Sequence, residues 1–290
     1  MNDTLERMRR ALDLVEARLF DEQLALAAMA RAAAFSPWHF HRLFVALTGE
    51  TPASYVRKRR LAEICRRLCE TTQPIVELAL ECRFESQATF TRAFTHQIGV
   101  PPGRFRKQRL LSPAHRFPPL DPAEIVARQR RVAMEPKIAR KDAFHVVGMS
   151  GRFTPTTNSR IPELWARFVP RLHEIPHRHG MNTFGVCVDA DPDSVEEAGF
   201  TYIAGVEVER IDAIPADMIA LTIPAGTYAV FTHSGHIARL SDTVRQIWGV
   251  WLPASRHRHV ARPDFEAYDA RWDPATGLGE IDIYVPIADG

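Results

Sequence analysis

Apolar residues return every three to four positions through the first hundred residues, and the rhythm switches to β-branched alternation after about residue 134. Leu24, Leu26, Ala27, Ala30 and Ala33 form one packing face. Phe40, Leu43, Phe44 and Leu47 follow i, i+3, i+4, i+7 on a second helix over about 37–48. Leu61, Ile64, Cys65 and Leu68 stripe a long helix over about 52–71, after which Ile75, Leu78 and Ala79, then Phe90, Ala93, Phe94 and Ile98, mark two more. Residues 109–133 carry Pro113, Pro118, Pro119 and Pro122 and read as a linker. Beyond it come strand-like runs such as FHVVGMSGRF, TYIAGVEVE and EIDIYVPI, interrupted by helical patterns near 161–175 and 236–252.

The helical part repeats itself. Ala30 and Phe35 match Ala79 and Phe84 at a spacing of 49 residues. Arg42, Phe44, Gly49, Pro52 and Tyr55 match Arg92, Phe94, Gly99, Pro102 and Phe105 at a spacing of 50, so the second copy has one extra residue in its turn. Ser36 is a candidate helix cap, as is Glu85 or Ser86 in the second copy, and Gly49 ends the first copy's second helix. Each copy reads as a helix-turn-helix. The outer face of the first carries Trp38, His39, His41, Arg42 and Val45; that of the second carries Gln87, Ala88, Thr91, Arg92 and Thr95. Arg can fork onto guanine, Gln onto adenine, and Thr or Trp can meet a thymine methyl. Arg57, Lys58, Arg59, Arg60, Arg104, Arg106 and Lys107 are candidate phosphate contacts. The long helix spans about 30 Å, near the 34 Å between successive major-groove segments.

The fold expected is therefore multidomain. An all-α domain over 1–108 holds two helix-turn-helix units joined by a long helix, 109–133 links, and 134–290 is an α+β domain built from a duplicated strand-helix-strand-strand unit. Charge sharpens the division. The formal charge of the 290-residue chain is +2, but residues 1–131 hold 22 basic against 14 acidic side chains and the remainder 15 against 21. A basic first half suits a polyanion. The four cysteines form no CxxC pair and read as small buried hydrophobes. No apolar run is long enough for a membrane span and the start lacks a signal peptide, so a cytoplasmic location is expected.

These residues resemble the AraC/XylS family of bacterial regulators over about residues 3–108, through FSPWHFHRLF, the long basic helix, RFESQATFTRAF and GVPPGRFRK. The resemblance implies promoter DNA as partner, with RNA polymerase as a further one. It places recognition helices at about 37–47 and 86–97. Contacts are expected at Trp38, His41 and Arg42, at Ser86, Gln87, Ala88, Thr91 and Arg92, and at the basic Arg57, Lys58, Arg60 and Arg106. Arg83 stands where the family often has glycine.

In the second half, alternation in PDFEAY puts Glu266 and Tyr268 on one strand face and Phe265 and Ala267 on the other. A carboxylate beside aromatic rings can hold an apolar cation. PAGTYAVFTHSG, PDFEAYD and EIDIYVPI resemble the GyrI-like small-molecule-binding domain over about 134–288. That resemblance implies a pocket for a small lipophilic, often cationic ligand around Glu266, with Trp165, Phe184, Tyr202, Tyr268 and Tyr284 as candidate walls. The expected function is a ligand-controlled, sequence-specific transcriptional regulator, by default an activator. No cofactor, metal or catalytic residue is assigned. Two other readings stay open, a hydrolase of reactive toxic compounds with Glu266 as acid/base, and a protein-binding inhibitor module. The histidines of HRHG (177–180) and RHRH (256–259) read as exposed loop residues, and His233 and His236 as helix-start caps.

Overall fold

The computed structural model describes residues 3–112, 115–128, 135–189 and 199–288. Its first part is helical: α1 (Asp3–Ala17), α2 (Leu26–Ala32), α3 (Pro37–Thr48), α4 (Pro52–Glu70), α5 (Ile75–Glu81), α6 (Gln87–Ile98), α7 (Pro102–Gln108) and α8 (Pro122–Arg128). The repeat is visible in its caps. The hydroxyls of Ser36 and Ser86 accept from the backbone N–H groups of His39 and Thr89, and Gly49 and Gly99 close α3 and α6 at φ 77° and 85°. The turns before the caps also match, because Ala34 and Arg83 both take positive φ, 51° and 65°. The glycine expected at 83 would relieve that strain.

The second part is a sheet: β1 (Lys137–Lys141), β2 (Phe144–Phe153), β3 (Arg178–Asp189), β4 (Phe200–Val208), β5 (Ile219–Ile223), β6 (Gly226–His236), β7 (Asp264–Tyr268), β8 (Trp272–Asp273) and β9 (Leu278–Ile287). Its order is β1-β6-β9-β7-β3-β4-β2-β5, antiparallel at each pairing, with the short β8 beside β9. From the central β7/β3 pair outward the two halves run β7-β9-β6-β1 and β3-β4-β2-β5. Helix α9 (Ile161–Phe168) covers β2 and β4. A bent helix covers β6, built from α10 (Leu240–Gln246), a π-helical turn (Ile247–Trp251) and α11 (Leu252–Ala254). Among the described residues no helix is long and apolar enough to cross a membrane.

The hydrophobic cores do not follow the expected domain division. The second helix-turn-helix unit has its own, with Ile64, Cys65, Leu68, Leu78, Phe90, Phe94 and Phe105. The first unit does not. Met8, Leu12, Phe40 and Phe44 share one continuous core with Phe231, Ile247, Trp248, Leu252 and Ile283. The proline-rich stretch expected as a linker is docked as well, since Phe117 packs on Tyr55 and the Tyr55 hydroxyl accepts from the Leu120 amide at 3.2 Å. Apolar Phe117, Leu120 and Ile125 pack on the same core. Burying them outweighs the freedom a tether would keep.

Candidate ligand cleft and DNA-reading surface

Alternation along β7 turns Asp264, Glu266 and Tyr268 toward the face that carries both helical covers. Between those covers the floor is polar. Glu266 Oε2 accepts from the hydroxyls of Tyr202 and Tyr268, each at 2.8 Å, and the Tyr202 oxygen accepts from Trp165 Nε1 at 3.2 Å. Opposite Glu266 in the ladder is Gly185, where a Cβ would collide with the Tyr202 hydroxyl and come within 2.8 Å of Glu266 Oε2. Glycine thus makes room for a three-group cluster. Burial pushes the Glu266 carboxyl up, against the lowering effect of the two tyrosine hydrogen bonds. Burial also drives both tyrosine hydroxyls well above their ordinary range, so they stay protonated donors.

Of the ligand-wall residues expected, Trp165, Tyr202 and Tyr268 meet at Glu266. Phe184 and Tyr284 do not. Phe184 faces Ala267 and Tyr284 faces Phe265 in the ladders, which puts both on the opposite side of the sheet. There, with Phe144 and Phe265, they surround the Lys141 ammonium at 4.9–5.8 Å from the ring centroids. A one-residue step along a strand reverses the face, which aromatic content alone does not reveal.

The cleft is filled from an unexpected direction. Helix α3 packs against the π-helical turn, and its outward-reading side chains enter the gap over β7. Trp38 stacks on Phe200 with centroids 3.9 Å apart and planes tilted by 21°. Arg42 Nη1 donates to Asp264 Oδ2 at 2.8 Å, and its guanidinium lies 4.9 Å from the Trp248 ring centroid. His39 Nε2 meets Asp264 Oδ1 at 3.2 Å, while its Nδ1 meets the Ser36 hydroxyl at 2.8 Å. Burial opposes the Asp264 charge, but Arg42 and His39 overcome it and hold the carboxyl far below the usual aspartate range. Burial likewise opposes the Arg42 charge, and Asp264 restores it.

Trp38 and Arg42, expected to face DNA, are therefore turned into the protein in this conformation. His41 is half-buried, and burial lowers its pKa. The basic helix is also partly engaged. Arg60 donates to the Leu19 and Asp21 carbonyls, Lys58 pairs with Glu50, and Arg106 donates to the Leu68 carbonyl. Arg57 is exposed. The second unit is open, with Ser86, Gln87, Ala88 and Arg92 exposed and Thr91 half-exposed. Replacing Arg92 by Ala is expected to weaken binding to a specific duplex by about 1–3 kcal/mol, leaving the melting temperature unchanged. Fluorescence anisotropy and thermal unfolding measure the two quantities.

His259 departs from expectation. It is fully buried between His39, Phe35 and Trp248, and burial holds its pKa well below the ordinary value. His177 and His179 pair with Asp212 and Glu209. His236 caps a short 3₁₀ turn as expected, while His233 is bonded to the Thr243 hydroxyl. Among the described residues the four cysteines form no disulfide, and Cys65 and Cys187 are buried while Cys69 and Cys82 are half-buried. Asp264 and Gly185 were missed. The same alternation that singled out Glu266 points to Asp264 two residues earlier, but its partner lies 222 residues away, beyond any local pattern.

Comparison with known proteins agrees with this arrangement. A GyrI-like small molecule binding domain matches residues 134–288, more than half of the chain, and a helix-turn-helix domain matches 29–108. The transcriptional regulator Rob of Salmonella typhimurium is 26% identical over 267 residues, covering 91% of this chain and 90% of the relative. The transcriptional regulator BrlR of Pseudomonas aeruginosa is 33% identical over 182 residues, 57% of this chain and 65% of BrlR, so the chain spans just under two thirds of that relative. The multiple antibiotic resistance protein MarA of Escherichia coli is 34% identical over 110 residues, 38% of this chain and 86% of MarA. The chain belongs to the GyrI-like small-molecule-binding family, joined at its N-terminal side to an AraC-type helix-turn-helix DNA-binding domain in a transcriptional regulator.

Proposed function

We propose that this regulator activates promoters in response to a small lipophilic cation held over Glu266. The observation that carries the reading is the Glu266 carboxylate fixed by two tyrosine hydroxyls beside Trp165, with Gly185 leaving the space that the Tyr202 hydroxyl fills. A buried carboxylate with aromatic walls attracts a cation through charge and ring faces and rewards an apolar body with burial. DNA is engaged by the exposed face of α6 and by α3, and activation makes RNA polymerase a further partner. The name of the relative MarA suits a role in responses to toxic compounds.

Tetraphenylphosphonium is the first probe, because its charge is permanent and its body aromatic. Titration calorimetry on the full chain is expected to give binding that Glu266→Gln weakens about tenfold or more, the equivalent of roughly 1.4 kcal/mol. Equal affinity for both forms would remove Glu266 from the ligand site. The raised pKa of Glu266 also suits a general acid, which is the hydrolase reading. Product analysis with reactive esters tests it, and catalytic turnover lost in Glu266→Gln would establish it.

A further inference from the structure

The cleft already holds an aromatic cation, and that cation belongs to the chain itself. Trp38 supplies the ring, stacked on Phe200, and Arg42 one turn later supplies a planar charge, seated on Asp264 and lying near the faces of Trp248 and Trp38. Both come from the helix expected to read bases, and Arg42 is seated on Asp264, two residues before Glu266 on the same face of β7. The seat is intimate. A Cβ at Gly249 of the π-helical turn would lie 2.6 Å from the Ala46 carbonyl oxygen of α3 and 3.1 Å from Ala46 Cβ. π-Helical turns are frequent at functional sites.

We propose that α3 is a tethered occupant of the ligand cleft, and that the effector is an aryl cation bearing N–H donors, of the amidinium or guanidinium class, which displaces Trp38 and Arg42 and so frees α3 for DNA. This deepens the reading above and rests on the cleft being the ligand site.

The donor requirement follows from Asp264. Its carboxylate is 4% exposed and receives hydrogen bonds from Arg42 at one oxygen and His39 at the other, both on α3. When α3 leaves, both donors leave. A buried carboxylate without donors is strongly disfavoured. A donor-free cation satisfies charge but not these lone pairs, whereas a guanidinium reproduces the bond that Arg42 makes. The occupant is also held imperfectly. The indole N–H groups of Trp38 and Trp248 are buried with no hydrogen-bond partner among the described residues. Each such orphan weakens the closed arrangement. The closed state therefore retains a deficit that a better-matched ligand can exploit. With α3 seated, Trp38 and Arg42 cannot enter a major groove. Differential affinity for the open form is all that an effector needs to shift the balance.

Gly249→Ala tests the idea without touching either DNA-facing residues or the cleft carboxylates. The added methyl meets α3 backbone, which cannot swing aside as a flexible side chain would. The DNA probe is a duplex enriched from a random-sequence pool on the full-length wild-type chain, read by fluorescence anisotropy. The ligand probes are 2-naphthylguanidinium and tetraphenylphosphonium, read by calorimetry without DNA. Gly249→Ala is expected to bind the duplex at least tenfold tighter than wild type and 2-naphthylguanidinium at least tenfold tighter. Its preference for 2-naphthylguanidinium over tetraphenylphosphonium is expected to exceed tenfold. Phe200→Ala, which removes the stacking partner of Trp38, gives an independent release if Gly249→Ala folds poorly. Equal DNA affinity of wild type and both folded variants would overturn the tethered occupant. Cation affinities equal in wild type and variants would also overturn it, while leaving the ligand site intact. Tighter DNA binding in the variants with no cation bound by any form would overturn the ligand class and the ligand site together, with the occupancy of the cleft by α3 surviving on its own.

Discussion

Asp264→Ala is expected to lower the unfolding free energy of the full chain by about 3–5 kcal/mol, the usual cost of removing one partner from a buried ion pair. Its side chain is 4% exposed and that of Arg42 14%, so little water screens what remains. Arg42 and His39 would be left facing an apolar gap. A urea titration monitored by circular dichroism measures the loss. Adding Arg42→Met to Asp264→Ala should recover part of it, because an apolar neighbour needs no counter-charge. If the double variant is no more stable than Asp264→Ala, the pair contributes by packing alone. The pH dependence follows from the same group. Its folded pKa is depressed, so its contribution is whole above the unfolded value of about 3.9 and is lost only as pH falls through the lower folded value. Glu266 works in the opposite direction. Its folded pKa is raised, so stability declines as pH rises from the unfolded value of about 4.3 through the folded one. Asp264→Asn should therefore flatten the acid limb of the stability profile, and Glu266→Gln should remove the decline above it.

Gly185→Ala should cost about as much at the proposed ligand site as any change to a charged residue. The new methyl would occupy the position of the Tyr202 hydroxyl and crowd Glu266 Oε2. Tyr202 must rotate away, Glu266 loses one of its two donors, and Trp165 loses its acceptor. Overpacking of this kind typically costs about 1–3 kcal/mol. Expressed in binding, that is roughly a five- to 150-fold loss of affinity for tetraphenylphosphonium. Calorimetry gives the affinity, and a near-ultraviolet signal from Trp165 reports the rearranged wall. Unchanged affinity would mean that the tyrosine–glutamate cluster is not where the cation sits. The comparison with Glu266→Gln is informative, since one change removes the charge and the other removes the space for its partners.

Much of the first domain was legible in the chain. Ser36 and Gly49 announced the ends of α3, and the 50-residue repeat carried both onto Ser86 and Gly99. Such signals are local, because caps and apolar faces act within a turn or two. The candidate site was legible in part. Alternation put Glu266 and Tyr268 on one face, and the cluster with Tyr202 and Trp165 followed. Phe184 and Tyr284, named for their aromatic rings alone, lie on the opposite face, since register decides the face and register is set by pairing. The buried His259 and the docked Phe117 were not legible, because polar surroundings in the chain say little about which core lies overhead.

The sequence by itself determined two helix-turn-helix units, a sheet with helices on it, and a carboxylate set among aromatic rings. Periodicity, capping and alternation are properties of neighbouring residues, and they suffice for that much. Only the tertiary structure decided that α3 lies in the cleft and α6 in the open. Arg42 and Arg92 are equivalent in the repeat, yet one is paired with a buried Asp264 and the other is exposed. The difference comes from what packs against each unit, since the first shares the core of the sheet domain and the second has a core of its own. Contacts made across more than two hundred residues are selected by the summed burial of whole surfaces, which no local pattern encodes.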